Sequence, residues 1–337
     1  MKKNRFFAAI GLSVCFLGLA ACGGGKDTSE RVNLVAISGP EAVGAMSADY
    51  FLLAEPAVTA QSKKGYSIVG DIQALYGGEN GYPQAVIVAK KALTSHTFAA
   101  TFTAKVVEAA EWLKTASTAD IVESVNAHME DSGAATSLKA PLLNANVLSR
   151  CGVRFTYADE CQDEVTEFLS ETLVVNESAT ALPEAEFFWD RDNEATETAP
   201  LDEITVCMPD GAPALALAQL LCEDVEDDGI TYKVVSSNLI ASKVTYKDMS
   251  KNADVCVLPV TAASKLLGSG EDYQMLGVVT HGNLYLISKT GEQITADNIK
   301  DLCGKTVGVL QINQVPGLTF KALLNKYDIE YSEISGL

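Results

Sequence analysis

Polar residues follow several predicted strands of this 337-residue sequence, at the turns where the chain leaves each strand. Asp210 and Gly211 come directly after the apolar run EITVCMP, Glu55 closes the run DYFLLAE, and Gln311 ends the run KTVGVLQ. Because ligands of open α/β sheets bind where strands end and helices begin, these turns are candidate binding positions. Their carboxylate, amide and hydroxyl groups suit a small organic molecule.

The same turns also have purely structural explanations, and the sequence leaves both open. Asp210-Gly211 is equally typical of a tight turn, and Gly39-Pro40 of a helix start. Glu55-Pro56 fits the cap of a following helix. His281 lies in an apolar context that is typical of a structural histidine.

Strand-like runs alternate with helical patterns along most of the chain. Continuous apolar runs such as VNLVAIS and ADVCVLPV are typical of parallel strands buried on both faces, whereas residues 97–175 carry helical spacing,. Strand–helix–strand repetition predicts an α/β fold with mostly parallel sheets and flanking helices. The polar, charged stretch 190–202 reads as a linker.

The composition excludes several classes of function. A formal charge of −19 disfavours nucleic acid and anionic lipid as partners,. The sequence contains no GxSxG, HExxH, P-loop or CxxC motif, and its three histidines are scattered,. We therefore expect no enzyme activity, no metal and no cofactor.

The N-terminus has the features of a bacterial lipoprotein export signal. Lys2, Lys3 and Arg5 precede an apolar run over 6–20, and Leu19-Ala20-Ala21-Cys22 matches the lipobox,. A transmembrane anchor is the alternative, but the run is shorter than the roughly 20 residues that a span needs. Cys22 is thus expected to carry a lipid that holds the protein on the extracytoplasmic face of the cell membrane.

The remaining cysteines are interpreted by position. Cys207 and Cys256 lie in apolar strand patterns and read as small core residues,. Cys151 and Cys161 could pair outside the cell or remain separate thiols. Cys222 falls on a predicted helix, and Cys303 precedes a Gly-Lys turn.

Four stretches resemble the substrate-binding lipoproteins of ABC importers, in the group that includes nitrate, sulfonate, taurine and thiamine-precursor binders. They are ITVCMPDGAPALALAQLL, ITADNIKDLCGKTVGVLQINQVPGLTFKALL, ADYFLLAEPAVTAQ and ALYGGENGYPQAVIVAKKAL. The resemblance covers nearly all of the mature chain. It implies the type 2 periplasmic-binding-protein fold, in which two lobes enclose a ligand cleft.

The order of the motifs departs from that family. The tether leads into VNLVAIS, which resembles the middle of lobe two, and family order returns when residues 195–337 precede residues 31–194. We therefore infer a circular permutation. The predicted divisions are a signal peptide (1–21), a tether (22–31), the second part of lobe two (32–80), a return crossover with helices packing on lobe one (81–189), the linker (190–202), the lobe-one core (203–289) and the first part of lobe two (290–337).

The resemblance also assigns candidate ligand contacts to each lobe. The crossovers near the hinge would add His281, Asn283, Tyr76 and Tyr82, of which the tyrosines could stack on a ligand or simply pack. Lobe one would supply Asp210, Gly211, Ala212, Thr261 and Ala262. Lobe two would supply Ser38, Gly39, Glu41, Glu55, Thr59, Gln311, Asn313 and Gln314.

The function implied is a monomeric solute-binding protein that delivers a small organic ligand to an ABC permease. A ligand-sensing or scaffold lipoprotein without a transport partner is the alternative that the sequence does not separate from it. An enzyme on the same scaffold is a third, against which the missing catalytic motifs count.

Overall fold

The computed structural model describes residues 30–45, 47–77, 81–131, 133–192, 195, 197, 201, 203–224 and 229–334. The predicted signal peptide, Cys22 and most of the tether lie outside these residues. Within them the chain forms strands β1 to β12: Arg31–Ile37, Tyr50–Ala54, Ser67–Asp71, Pro83–Lys90, Val153–Tyr157, Ile204–Pro209, Ile230–Val235, Val255–Pro259, Tyr273–His281, Leu284–Ser288, Thr306–Leu310 and Glu330–Ile334.

Helices of very different length cover these strands. Helices α1 to α11 are Ala57–Ser62, Ile72–Tyr76, Lys91–Thr94, Thr97–Trp112, Thr118–Ala127, Ala145–Arg150, Ala158–Val175, Ala212–Ala216, Ala218–Cys222, Val260–Leu267 and Val315–Lys326. Short 3-10 turns occupy Pro40–Ala42, Ala140–Leu142, Ala185–Phe187, Ile240–Val244, Met249–Lys251 and Ile299–Leu302. None of the described helices is long and apolar enough to cross a membrane.

The strands form two mixed six-stranded sheets, which confirms the α/β prediction. The sheets are not mostly parallel as expected, because five of the ten described strand pairings are antiparallel. Sheet A has the order β12-β1-β11-β2-β10-β3, and sheet B has the order β5-β9-β4-β8-β6-β7. The runs EITVCMP and KTVGVLQ, predicted to open different lobes, fall in sheet B and sheet A respectively.

Five strands of each sheet follow the same plan. In sheet A, β1, β11 and β2 are parallel neighbours, and β10 runs antiparallel between β2 and β3. In sheet B, β7, β6 and β8 are parallel neighbours, and β4 runs antiparallel between β8 and β9. Each sheet has a sixth strand at one edge that is not part of the shared plan: β12 beside β1 in sheet A and β5 beside β9 in sheet B.

The chain passes between the sheets at two places in the described residues. One connection runs from β3 through α2 to β4, and the other runs from β9 to β10. The two connections lie side by side, since Gly282 N donates to Tyr82 O at 2.9 Å and Pro83 pairs with His281. Strand β4, which runs antiparallel to its neighbours in sheet B, thus follows β3 of sheet A along the chain. Strand β10, which runs antiparallel to its neighbours in sheet A, follows β9 of sheet B.

This topology moves one predicted boundary. The sequence grouped residues 203–289 as a lobe-one core, but β10 lies in sheet A, hydrogen-bonded between β2 and β3. The change of sheet therefore falls between His281 and Leu284. The apolar pattern of NLYLISK could not reveal this, because strands buried on both faces look alike in either sheet.

The described residues form three clusters of buried apolar side chains. One lies on a face of sheet A around Ile37, Phe51 and Tyr285, and another on a face of sheet B under α4, α5 and α8. The third continues from sheet A to sheet B, and helix α7 contacts both β9 and α11. Helix α7 thus packs on strands of sheet B and, through α11, contacts a helix that covers sheet A.

The structure corrects one sequence interpretation of residues 151–161 and decides between the two alternatives left open for their cysteines. Residues 153–157, within the stretch read as helical, form β5 because they pair with β9 at the edge of sheet B. Cys151 and Cys161 are both free thiols. They cannot meet across β5, since Cys151 packs in the cluster on one face of sheet B and Cys161 in the cluster on the other.

Candidate functional site

A cavity of about 540 Å³ lies between the two sheets. Sheet A faces it with the carboxyl ends of β2 and β11, and sheet B with the carboxyl ends of β6, β7 and β8. This is the position where open α/β sheets bind ligands. Its volume lies in the range of small-molecule sites, roughly 300–1,000 Å³.

Much of the cavity wall is apolar. The lining residues include Leu53, Leu142, Ile240 and Val315, and none of those that the structure describes is aromatic. Six prolines also line the cavity: Pro40, Pro56, Pro209, Pro213, Pro259 and Pro316. Since proline carries no backbone N–H, these positions offer a ligand no main-chain donor.

Glu55 lies at the sheet A wall, where its carboxylate is already bound. Thr59 donates to it from its backbone N at 3.1 Å and from Oγ1 at 2.9 Å, and Arg150 Nε donates at 2.8 Å. The bond from Thr59 N satisfies a backbone donor in the first turn of α1 from the residue before the N-cap Pro56, so Glu55 has the structural role that the sequence left open,. The Glu55 side chain is 0 % exposed, so its charge depends on these partners,.

Asp210 lies at the opposite wall and holds a loop from elsewhere in the chain. Its carboxylate accepts hydrogen bonds from the Thr136 hydroxyl and, at 2.7 Å, from Ser137 N. Ser137 and Lys139 of this loop line the cavity, and Lys139 Nζ donates to Thr136 O at 3.1 Å. Asp210 therefore shapes the wall by fixing a loop that sequence reasoning did not connect with it.

Three polar side chains line the cavity beside the two chain crossings. They are Gln84 on β4, Thr280 on β9 and Asn283 between β9 and β10. Thr280 is 1 % exposed and Asn283 is 2 % exposed. In the described part of the chain, Gln84 Oε1, Thr280 Oγ1 and Asn283 Oδ1 are buried without a hydrogen-bond partner.

Seven of the seventeen predicted contacts line this cavity. They are Glu55, Asp210, Gly211, Ala212, Asn283, Gln311 and Gln314. Gln311 adopts a left-handed backbone with φ of 56° directly after β11. A non-glycine residue in this conformation is uncommon, and such residues cluster at functional sites.

The other ten predicted contacts do not line the cavity. Thr59 donates a hydrogen bond from Oγ1 to the Glu55 carboxylate, and Asn313 Oδ1 accepts one from Lys321 Nζ at 3.4 Å. Pro40 and Pro259 line the wall in place of their predicted neighbours. The residues outside the lining are Ser38, Gly39, Glu41, Thr59, Tyr76, Tyr82, Thr261, Ala262, His281 and Asn313.

Tyr76 and Tyr82 pack together away from the cavity. Their ring centroids are 5.4 Å apart, and each ring also contacts Phe168 of α7, at 6.0 Å and 5.7 Å respectively. Burial raises the pKa of Tyr82 well above its ordinary value. This aromatic cluster joins the crossing segments to α7, and both tyrosines line a second cavity of about 280 Å³.

His281 is buried beside Thr280 but takes no part in the cavity wall. Its Nε2 lies 3.3 Å from Thr156 Oγ1, and its backbone N donates to Gly152 O at 2.9 Å. Burial, reinforced by the charge of Arg154, lowers the pKa of His281 to about 3. The imidazole is therefore neutral near pH 7 and acts as a structural group.

Sequence reasoning missed Gln84, Thr280, Ser137, Lys139 and Ser237. Gln84 and Thr280 had a usable signal, because each is a polar residue at the end of an otherwise apolar strand run. The loop around Ser137 had none, since only the tertiary fold brings it to Asp210.

Neither a metal-binding cluster nor similarity to known proteins adds evidence on the function. The described residues contain no group of three or more His, Cys, Asp or Glu side chains that could hold a metal ion. Comparison of the chain with protein-family models, curated proteins and solved structures finds no significant match.

Proposed function

We propose that this protein is a solute-binding protein that captures a small organic molecule in the cavity between two lobes and delivers it to an ABC importer. Each lobe is one sheet with its helices, and the fold proposed is that of the type 2 periplasmic binding proteins. The residues that contact the ligand are those lining the cavity from both sheets.

One observation carries the proposal. The cavity is lined by strand ends of both sheets, and in the described residues the chain crosses between the sheets at two adjacent places. Two bodies joined at neighbouring crossings can rotate about that edge, so a cleft on the other side opens and closes. Such closure lets a protein bury a ligand that must also enter and leave.

The strand order supports the permuted arrangement of the chain. The chain can be read in permuted order, starting at β6 and passing from β12 to β1. In that order β6, β7, β8 and β9 take the second, first, third and fifth places of the plan that the sheets share, and β11, β1, β2 and β3 take the same places in sheet A. The last described strand, β12, lies parallel beside β1. A permutation is tolerated when the joined ends are exposed and close together.

The transport role also rests on the export signal. A lipid on Cys22 would hold the protein at the outer surface of the cell membrane, where a permease could receive its ligand. The anchor would emerge next to β1 and hence from the lobe of sheet A, whereas family order would attach it to the lobe of sheet B.

Native mass spectrometry of the full chain purified from its own host tests the binding role. We expect a bound small molecule that departs on mild unfolding, and a raised melting temperature when it is added back, because a ligand that binds the folded state stabilises it. Small-angle X-ray scattering should show a more compact protein with ligand. A chain that retains no solute, and is not stabilised by a broad metabolite library, would contradict the proposal.

Uptake measurements separate transport from sensing. Deleting the gene should abolish import of the identified solute, and a Cys22→Ala variant that is released from the membrane should reduce import. Unchanged import with intact binding would favour the sensor or scaffold role.

A further inference from the structure

The unpartnered polar atoms of the cavity indicate what it binds. Buried polar atoms in proteins are nearly always hydrogen-bonded, so three orphaned atoms in one wall need an explanation. Gln84 Oε1, Thr280 Oγ1 and Asn283 Oδ1 all lie in the lining beside the crossings. A polar group of a ligand that hydrogen-bonds to these three atoms would explain why the protein leaves them unpartnered.

The charged groups of the wall are already engaged by the protein. Glu55 is bound by Thr59 and Arg150, Asp210 by Thr136 and Ser137, and Lys139 by a backbone carbonyl. Lys139 is exposed and is the one cationic side chain in the lining among the residues that the structure describes. An anionic ligand would therefore face two carboxylates and a single solvated cation.

The three unpartnered groups suit an uncharged polar group of the ligand, here called its head, that both donates and accepts hydrogen bonds. The two amide oxygens need a donor, and the Thr280 hydroxyl can donate or accept. Turning a side-chain amide by 180° exchanges its oxygen and nitrogen, and an amide-type ligand satisfies either orientation because it carries both N–H and C=O. The aliphatic and proline wall matches an apolar body.

We propose that the cavity takes a neutral, amide-type molecule with an aliphatic body, whose head is held by Gln84, Thr280 and Asn283. This inference rests on the proposed binding function and narrows its ligand class. The three side chains set specificity from the hinge side, and the two strand-end walls enclose the body.

Ligand-observed NMR on the full chain tests the class with four matched probes: hexanamide, hexanoate, hexane-1-sulfonate and hexylamine. We expect hexanamide to bind at least tenfold more tightly than each charged probe, because only its head satisfies the orphaned atoms without bringing a charge into the cavity. Preference for any charged probe, or no binding of hexanamide, overturns the ligand class.

Two isosteric threonine variants test the site. Thr280 and Thr319 are both fully buried threonines whose hydroxyls lack a partner, but only Thr280 lines the cavity. Thr280→Val should weaken hexanamide binding about tenfold, the loss of one hydrogen bond, whereas Thr319→Val should leave it unchanged. Both variants keep the size of the side chain, and their melting temperatures without probe report that they fold.

The outcomes separate this inference from the function on which it rests. Equal effects of Thr280→Val and Thr319→Val would remove the assigned head site. A copurified solute that is charged would overturn the class and leave solute binding intact. A chain without any copurified solute would contradict the binding function itself.

Discussion

Arg150 and Glu55 form an ion pair that bridges the two sheets. Glu55 follows β2 of sheet A, and Arg150 ends α6, three residues before the start of β5 in sheet B. The Arg150 Nη2 lies 2.7 Å from Glu55 Oε1, and Tyr285 of sheet A donates to Arg150 O at 3.4 Å. The pair thus joins the sheets beside the cavity.

Breaking this pair from its two ends should have unequal effects. Arg150→Met leaves a fully buried carboxylate without its cation, and we expect it to lower the free energy of unfolding by about 3 kcal/mol. Glu55→Gln leaves Arg150, whose side chain is 32 % exposed and can reach water, so about 1 kcal/mol is expected,. Urea denaturation followed by circular dichroism measures both values. Equal losses, or a larger loss for Glu55→Gln, would refute the asymmetry.

Gly152 should not tolerate a side chain. It adopts φ of +67°, and a Cβ there would lie 1.9 Å from the His281 carbonyl oxygen. We expect Gly152→Ala to lower the free energy of unfolding by at least about 3 kcal/mol, since the clash involves backbone.

Gly65→Ala is the matched control for that variant. Gly65 also has a positive φ, of +84°, but a Cβ there would meet nothing within 4 Å. Backbone strain alone should then lower the free energy of unfolding by about 1 kcal/mol. Similar losses in the two variants would show that the close approach at Gly152 has no energetic weight.

Lowering the pH should destabilise the protein through His281. Its pKa falls from an ordinary 6.5 to about 3 on folding, so between these values the unfolded chain takes up a proton and the folded chain does not,. The contribution of the neutral imidazole is complete above pH 6.5 and is lost as the pH falls toward 3. Between pH 7 and pH 5 the loss should be about 2 kcal/mol.

A His281→Gln variant isolates this contribution from the other titrating groups. Urea denaturation of both proteins at pH 7 and at pH 5 gives two pH-dependent losses, and the variant's loss should be smaller by about 2 kcal/mol. The same pH dependence in both proteins would mean that folding does not lower the pKa of His281.

The cysteines should label according to their burial. Cys222 and Cys303 are partly accessible, whereas Cys151, Cys161, Cys207 and Cys256 are buried. Burial raises the pKa of Cys151 and of Cys161 to about 12, so neither forms the reactive thiolate near pH 8,. Iodoacetamide should modify Cys222 and Cys303 in the native protein. In urea without reductant it should modify all six of these described cysteines. A Cys151–Cys161 disulfide in the peptide map would contradict the structure.

The sequence determined the elements and the two sheets to which most of them belong. The runs VNLVAIS and ADVCVLPV formed strands close to their predicted bounds, because apolar β-branched runs favour strands,. The expected burial on both faces holds for ADVCVLPV, whereas Ala36 in VNLVAIS is exposed,. The turns after β2, β6 and β11 proved to line the cavity, because parallel strands present their carboxyl ends at one edge,.

Only the tertiary structure decided which polar groups remain available to a ligand. Asp210 and Glu55 looked like contacts, but loop 136–139 and Arg150, both distant in sequence, already occupy their carboxylates. Gln84 and Thr280 are visible in the sequence as polar ends of apolar strand runs, but only the tertiary structure shows that their polar atoms lie unpartnered in the wall. Local patterns fix strands through burial of neighbouring residues, whereas the partner of a polar atom depends on contacts between segments that the sequence separates by tens or hundreds of residues.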